Sequence, residues 1–136
     1  MLLVFDILYM VVRMDCLFCK IANKEEEANI LYEDDLVVMI LDAYPTVDGH
    51  CLIIPKKHYE TYLDIPDGLI LHINKVVKEQ APTLLKKLYK NSVSLLVNYG
   101  DSQLIKHYHL HILPNYGLDD NVKYTKEEIL NMLKDE

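Results

Sequence analysis

His107, His109 and His111 alternate with Tyr108, Leu110 and Ile112 just ahead of Leu113-Pro114. In an extended chain successive side chains point to opposite faces, so the three imidazoles share one face, roughly 6.5 Å apart, while the apolar residues fill the other. The pattern predicts a strand with one wet, chemical side and one buried side. Each imidazole brings ring donors and acceptors that must be satisfied, and each can charge near neutral pH, so three in register are costly to keep without a use. A chemistry that suits them is substitution at phosphorus: a neutral ring nitrogen attacks, a short-lived phosphoramidate forms, and water then hydrolyses it. The central ring, His109, has a partner on either side and is the natural nucleophile. A different chemistry would gather all three rings on one catalytic zinc with an activated water.

Cys16-x-x-Cys19 offers two thiolates at a spacing that zinc sites favour. A redox reading is weaker, because no strand precedes the pair in a clear βαβ pattern. Two thiolates are half of a tetrahedral set, so any further ligands must be histidines. Cys51, inside an apolar run, reads as core, and His72, in a long helical pattern, as a surface or packing residue without a role.

The chain has 136 residues, 51% of them hydrophobic, and a formal charge of −7. One domain with one core is the simplest expectation at that length. The acidic balance argues against a grip on nucleic acid, which needs clustered Lys and Arg to displace counterions. A small nucleotide needs only a local pocket. Three cysteines make no disulfide framework and point to a reducing compartment, with the cytoplasm as the expected location. Met1 to Val12 is apolar but holds Asp6, lacks a basic start, and falls short of the roughly 20 residues that span a bilayer, so no membrane anchor is expected. Residues 1–13 are set apart as an extension of unclear status, and residues 14–136 as the domain, with its core over about residues 14–114 and a tail with a helix over residues 115–136.

The elements that must position these residues follow from periodicity. Leu17, Phe18, Ile21 and Ala22 have helical spacing, and the charged run Lys24 to Glu27 ends that helix. Ile30 to Glu33 and Leu36 to Leu41 read as a hairpin about Asp34-Asp35, and Cys51 to Ile54 as a third strand stopped by Pro55. The stretch Asp42 to Gly49 is a loop by its Pro, Gly and Asp content. Asp64 and Pro66 open a long helix with an apolar face from Leu69 to Leu88. The stripe keeps its phase across Pro82, which predicts a kinked helix, with two separate helices as the alternative. Val93 to Asn98 and Lys106 to Leu113 supply strands four and five. Thr125 with Glu128 forms a capping box for a terminal helix carrying Ile129, Leu130 and Leu133. Short antiparallel strands with one long helix make an α+β domain.

Several stretches, in order, resemble one family. Asp15-Cys16-Leu17-Phe18-Cys19-Lys20-Ile21, Leu41-Asp42, Gly49-His50-Cys51-Leu52-Ile53-Ile54-Pro55-Lys56-Lys57-His58, Asn98-Tyr99-Gly100-Asp101-Ser102-Gln103 and the His-x-His-x-His run are together similar to the histidine-triad (HIT) superfamily of nucleotide hydrolases and transferases. The resemblance is to its zinc-containing, bacterial-type, phosphoramidase-like branch. It implies a HIT-like fold, a five-stranded antiparallel sheet with one long helix and short helices, extended across a two-fold homodimer. It implies that His109 carries the nucleotidyl group, that His111 flanks the phosphate, and that His50 fixes the tautomer of a ring in the cluster. Asp42 falls where the family binds ribose hydroxyls, although an Asp beside a Pro loop also suits a turn cap. Asn98, Gly100 and Gln103 fall where the family holds the phosphate, and Leu17, Phe18, Ile21 and Ile40 where it holds a purine base; Ile21 and Ile40 are equally good core residues. His58 and His107 would join Cys16 and Cys19 as ligands of a structural zinc, leaving the chemistry to His109, His111 and His50. The chain departs from the pattern before the triad: its Gly-to-Gln loop is shorter and less glycine-rich than usual, and Leu104 stands where a Ser or Thr is common, which leaves the preferred leaving group open.

The leading expectation is therefore an enzyme acting at the α-phosphate of a purine nucleotide through a nucleotidyl-histidine, on a phosphorus–nitrogen or phosphoanhydride bond. The alternatives are a zinc hydrolase that uses the triad as ligands and a non-catalytic nucleotide-binding module.

Overall fold

The computed structural model describes residues 16–118 and 121–134. The extension set apart as residues 1–13, and its boundary at Met14, lie outside the described residues. The elements are α1 (Leu17–Ala22), β1 (Ile30–Glu33), β2 (Val37–Leu41), β3 (Cys51–Pro55), α2 (Asp67–Lys87), β4 (Val93–Leu96), a 3₁₀ turn (Gly100–Ser102), β5 (Leu110–Pro114) and α3 (Lys126–Lys134). The five strands form one antiparallel sheet in the order β1-β2-β3-β5-β4.

Alternation along β2 and β3 sorts the apolar residues onto two faces. Val37, Met39, Leu41, Cys51 and Ile53 pack with Tyr108, Leu110 and Ile112 against Ile73, Val76, Val77 and Leu84 of α2 and Ile129 of α3. Val38, Ile40, Leu52 and Ile54 point the other way, onto Phe18, Cys19, Ile21 and Ala22 of α1. Both central strands are buried along their whole length for this reason, which is why they read as unbroken apolar runs.

Several boundaries differ from those expected. β3 continues through Pro55, which sits opposite Val37 and needs no donor there. β5 begins at Leu110 and not at Lys106, and β4 stops at Leu96. The approach to β5 is held by other bonds: Tyr108 N donates to Tyr59 O (2.6 Å) and His107 N to Ile105 O (2.9 Å). α2 is a single helix across Pro82. Pro82 and Lys78, whose carbonyl loses its partner, both lie on the exposed side, where water replaces the missing donor.

At the start of α3, Thr125 N donates to Glu128 Oε1 (3.0 Å) and Glu128 N to Thr125 Oγ1 (3.1 Å), the reciprocal pair expected of a capping box. His72 has a use after all. Its Nε2 lies 2.7 Å from Asp34 Oδ2, which also accepts the Tyr32 hydroxyl, while Asp34 Oδ1 takes the N–H groups of Leu36 and Val37. Burial opposes ionisation of Asp34, but these hydrogen bonds outweigh it and bring its pKa down to about 2. The cluster clasps α2 to the β1–β2 turn.

Gly49, ahead of β3, has φ +84°, and a Cβ there would run into Leu88 Cδ1 at the end of α2. Gly100 has the same φ but open space around it. Gly49→Ala should therefore cost about 2–4 kcal/mol in denaturant unfolding, and Gly100→Ala about 1–2 kcal/mol, the left-handed backbone cost alone. Equal losses at the two positions would remove the packing argument.

Candidate active site

The three triad histidines lie on the α1 side of the sheet but do three different things. Phe18 of α1 sets its ring edge-on to both His107 and His109, at centroid distances of 6.0 and 4.9 Å. This face is therefore not wet: His107 is fully buried and His109 only 8% exposed.

His107 belongs to a cluster with Cys16, Cys19 and His58. Its Nδ1 is 3.3 Å from Cys16 Sγ, 3.4 Å from Cys19 Sγ and 3.1 Å from His58 Nδ1, and Cys19 Sγ is 3.2 Å from His58 Nδ1. The local sequence builds this directly, since Cys16 caps α1 and its Sγ accepts Cys19 N–H at 3.4 Å. His107 Nε2 donates to Pro55 O at 2.8 Å, so Nδ1 is left with a lone pair. Burial pushes the pKa of His107 down to about 4 and lowers that of His58, so both rings are neutral at neutral pH. Two thiols and two ring nitrogens converging at such distances have edges close to those of a tetrahedron with bonds of about 2.0–2.3 Å, and a ligand imidazole ordinarily gives its other N–H to a carbonyl. The residues fit a closed, four-ligand zinc site. No group of metal-ligating atoms among the described residues takes in two triad histidines. That weighs against the triad as ligands of one catalytic zinc.

His109 donates Nδ1–H to the carbonyl of His107 at 2.8 Å. Its Nε2 therefore carries the lone pair. Burial lowers its pKa and keeps the ring neutral.

His111 is opposite Leu52 of β3 and Leu96 of β4. Thr46 N donates to His50 Nδ1 at 3.0 Å, so the proton of His50 is on Nε2, 2.8 Å from His111 Nδ1 and 3.3 Å from Asp42 Oδ2. The 2.8 Å contact is a hydrogen bond into His111 Nδ1, which leaves the proton of His111 on Nε2, an atom that is buried with no partner among the described residues. Burial, then the neighbouring imidazoles of His109 and His50, bring His111 down to about 4; burial also lowers His50 against the pull of Asp42. The chain of donors runs from Thr46 through His50 to His111 and ends in one N–H with nothing to donate to.

A cavity of about 580 Å³ opens beside His109 and His111, a size suited to a small ligand. Its lining is part apolar, with Leu17, Phe18, Ile21, Ile40, Leu52, Leu104 and Ile105, and part polar, with Asp42, Thr46, His50, Asn98 and Ser102. Asp42 also caps its own turn, accepting Tyr44 N at Oδ1 (2.8 Å), so the turn-capping and ligand-facing readings both describe it.

Gly100 and Gln103 are placed elsewhere, and neither lines the cavity. The Gln103 amide is buried and turned inward, donating Nε2–H to Glu60 O (2.6 Å) and Ile105 O (3.0 Å). Gly100 closes its own turn, its carbonyl accepting from Gln103 N and Lys106 Nζ. The Gly100 carbonyl and the Gln103 amide are thus both used within the fold. The residues not anticipated from sequence are Thr46, Ser102, Lys126 and the carbonyl of Pro55. Thr46 and Pro55 act through backbone atoms, which carry no residue-type signal.

The chain is similar to several known proteins. An uncharacterized HIT-like protein of Methanocaldococcus jannaschii is 40% identical over 109 residues, covering 79% of this chain and 84% of its own. The adenylylsulfatase HINT3 of Arabidopsis thaliana is 41% identical over 107 residues, covering 77% of this chain and 54% of its own. Among solved structures, a zinc-bound histidine triad family protein from Mycobacterium smegmatis matches with a TM-score of 0.80 and 29% identity, over 90% of this chain and 92% of that one. The HIT domain model itself matches residues 23–118, well over half of the sequence. By that match and by the relatives that share it, the chain belongs to the HIT domain family.

Proposed function

We propose that the protein is a nucleotidyl hydrolase or transferase acting at the α-phosphorus of a purine nucleotide joined to an amine, a phosphate or another small leaving group, as in adenosine phosphoramidase-like or dinucleoside polyphosphate hydrolase-like enzymes. The observation that carries the reading is the His109 Nε2 lone pair, fixed by the bond from Nδ1–H to the His107 carbonyl and bordering a nucleotide-sized cavity.

In the first step the lone pair of His109 Nε2 bonds to phosphorus as the bond from phosphorus to the leaving group breaks, its electron pair departing with that group, which takes a proton from solvent where it is an amine. The imidazolium that results keeps Nδ1–H on the His107 carbonyl, which spreads its charge. His111 Nε2–H, held in that tautomer by His50, donates to a phosphate oxygen as negative charge gathers there. Asn98 lines the same cavity and offers a second neutral donor. In the second step water bonds to phosphorus, the phosphorus–nitrogen pair returns to His109 Nε2, and the water's proton passes to solvent. Leu17, Phe18 and Ile21 would hold the base and Asp42 the ribose hydroxyls. Cys16, Cys19, His58 and His107 would hold zinc, which when bound supplies structural cross-linking and no open position for chemistry. A homodimer and a cytoplasmic location accompany the reading. No described helix is long and apolar enough to cross a membrane.

His109→Ala should lower kcat by about 10³-fold or more and abolish a nucleotidyl adduct trapped on the protein, since the nucleophile itself is lost. Turnover at the wild-type level would end the proposed mechanism.

The relay also sets the pH dependence. His111 and His50 must be neutral to pass donors in one direction, and burial holds both below the ordinary value of 6.5, His111 at about 4. The neutral form therefore persists as pH falls through 6.5, and kcat/KM should stay flat from pH 8 to 6 and fall only on a lower acid limb. An acid limb centred at or above 6.5 would contradict the burial of these rings.

A strong chelator should lower the thermal midpoint by more than about 10 °C, with activity lost in step with unfolding, as expected of a metal that ties α1 to the triad. Rapid loss of activity with the fold intact would instead assign the metal a catalytic role.

A further inference from the structure

Gln103 is only 3% exposed, yet its amide does not line the active-site cavity. Burying an amide is costly unless its hydrogen bonds are made inside, so the reason for this residue lies in the bonds it makes. Its Nε2 donates one N–H to Glu60 O (2.6 Å) and the other to Ile105 O (3.0 Å). Glu60 comes two residues after His58, and Ile105 two residues before His107. One side chain therefore ties together the two backbone segments that carry the histidines of the cluster with Cys16 and Cys19.

Those segments need a tie. The stretches from His58 to Glu60 and from Gln103 to His109 lie outside every helix and strand, so no ladder or helical bond fixes them. Cys16 and Cys19, by contrast, are set by the first turn of α1. The two histidines also differ in what holds their rings. His107 gives Nε2–H to Pro55 O, the usual arrangement for a ligand imidazole, whereas His58 Nε2 is buried with no partner among the described residues. Without such a bond to its ring, the place of His58 is set through its backbone. Tyr108 N–H holds Tyr59 O (2.6 Å), a bond that almost any residue at these positions could make. The bond to Glu60 O needs the two-donor amide of Gln103, which at the same time holds the approach to His107. The result is a separation of 3.1 Å between His58 Nδ1 and His107 Nδ1.

We propose that Gln103 is a positioning residue for the zinc site, which sets the spacing of the His58 and His107 ligands and does not act on the phosphate of a substrate. The inference rests on the structural-zinc reading of the cluster and goes beyond it by naming the residue that keeps its histidine half in register. The tie extends to the nucleophile, because the His107 carbonyl accepts the Nδ1–H of His109.

The test uses the full chain loaded with zinc, or with cobalt(II) as a spectroscopic substitute. Gln103→Met keeps the side-chain volume but donates to neither carbonyl, and Gln103→Asn keeps the amide but is a methylene too short to reach both. Val77→Ala, in the core on the other face of the sheet, supplies a loss of stability without a change at the cluster. Gln103→Met should weaken zinc binding by about ten-fold or more in competition with a chelator, the scale of losing an outer partner of a metal ligand, and should shift the cobalt ligand-field bands. Gln103→Asn should act in the same direction to a smaller extent, and it carries the test alone if Gln103→Met does not fold. Val77→Ala should lower the thermal midpoint and leave the bands at their wild-type positions. Wild-type bands in a folded Gln103 variant would overturn the proposal, as would an equal shift in Val77→Ala. A raised KM for a nucleotide with unchanged bands would return Gln103 to the phosphate and overturn it too. A wild type that binds neither metal, or binds it no better than Cys19→Ala does, overturns the zinc reading and this inference with it.

Discussion

The structure of the site depends on where His107 spends its hydrogen-bonding groups. Its Nε2–H goes to Pro55 O at the end of β3, its Nδ1 to the cluster at the head of α1, and its carbonyl to His109 Nδ1–H. One buried residue thus joins a strand end and a helix start to the tautomer of its neighbour but one. A buried ring must place both nitrogens or bear the desolvation cost of an unsatisfied group, so its orientation is fixed tightly. Because the His107 carbonyl is turned toward His109, the latter ring has one orientation in which Nδ1–H is satisfied, and that orientation leaves Nε2 as the lone-pair nitrogen.

Burial on both faces of the sheet is what makes this constraint effective. Phe18 and Ile21 of α1 cover the imidazole side while α2 covers the other, so the triad sits in a medium where charge is costly. The rings are held neutral by that cost, and neutral rings can be given a definite tautomer through single donors such as Thr46 N–H. A solvent-facing strand of the same sequence would titrate near 6.5 and lose that definition around neutral pH. The enclosure by α1 is thus part of the chemistry as well as part of the core.

Much of this was legible beforehand, and the exceptions share a physical cause. Alternation about Tyr108, Leu110 and Ile112 correctly placed the apolar side of the triad, and the phase of the stripe from Leu69 to Leu88 carried α2 through Pro82, because side-chain periodicity reports burial. Resemblance supplied the grouping of Cys16, Cys19, His58 and His107, which spacing alone could not close. What alternation could not tell was that His107 and His109 precede the ladder. Pairing depends on the neighbouring strands: β4 stops at Leu96, opposite His111, and β3 pairs with β5 only as far as Ile53–Leu110 although it runs on to Pro55. Gln103 illustrates a second gap: its residue type suits a phosphate donor as well as a backbone clamp, and only the positions of the Glu60 and Ile105 carbonyls decide for the clamp. Lys126 lay beyond the reach of pattern, since nothing near it in sequence hints that Asp48, which accepts N–H groups from Lys123 and Tyr124, brings it to the cavity.

That β5 starts only at Leu110 has a use. Within a regular ladder three alternate residues would present their rings in parallel, each competing for one environment. Freed from pairing, the segment from Lys106 to His109 turns His107 to the cysteines and His109 to the carbonyl of His107, while His111, held in the ladder, faces His50. The short loop from Gly100 to Gln103 is closed by the bond from Gln103 N–H to the Gly100 carbonyl and by the inward Gln103 amide. Among the described residues that line the cavity, His111, Asn98 and Ser102 offer neutral side-chain donors and Lys126 of α3 a cation. A site that binds phosphate mainly through side chains on separate elements depends on each element being held, which accounts for the buried Asp48 clamp at one end and the Cys16 cap at the other.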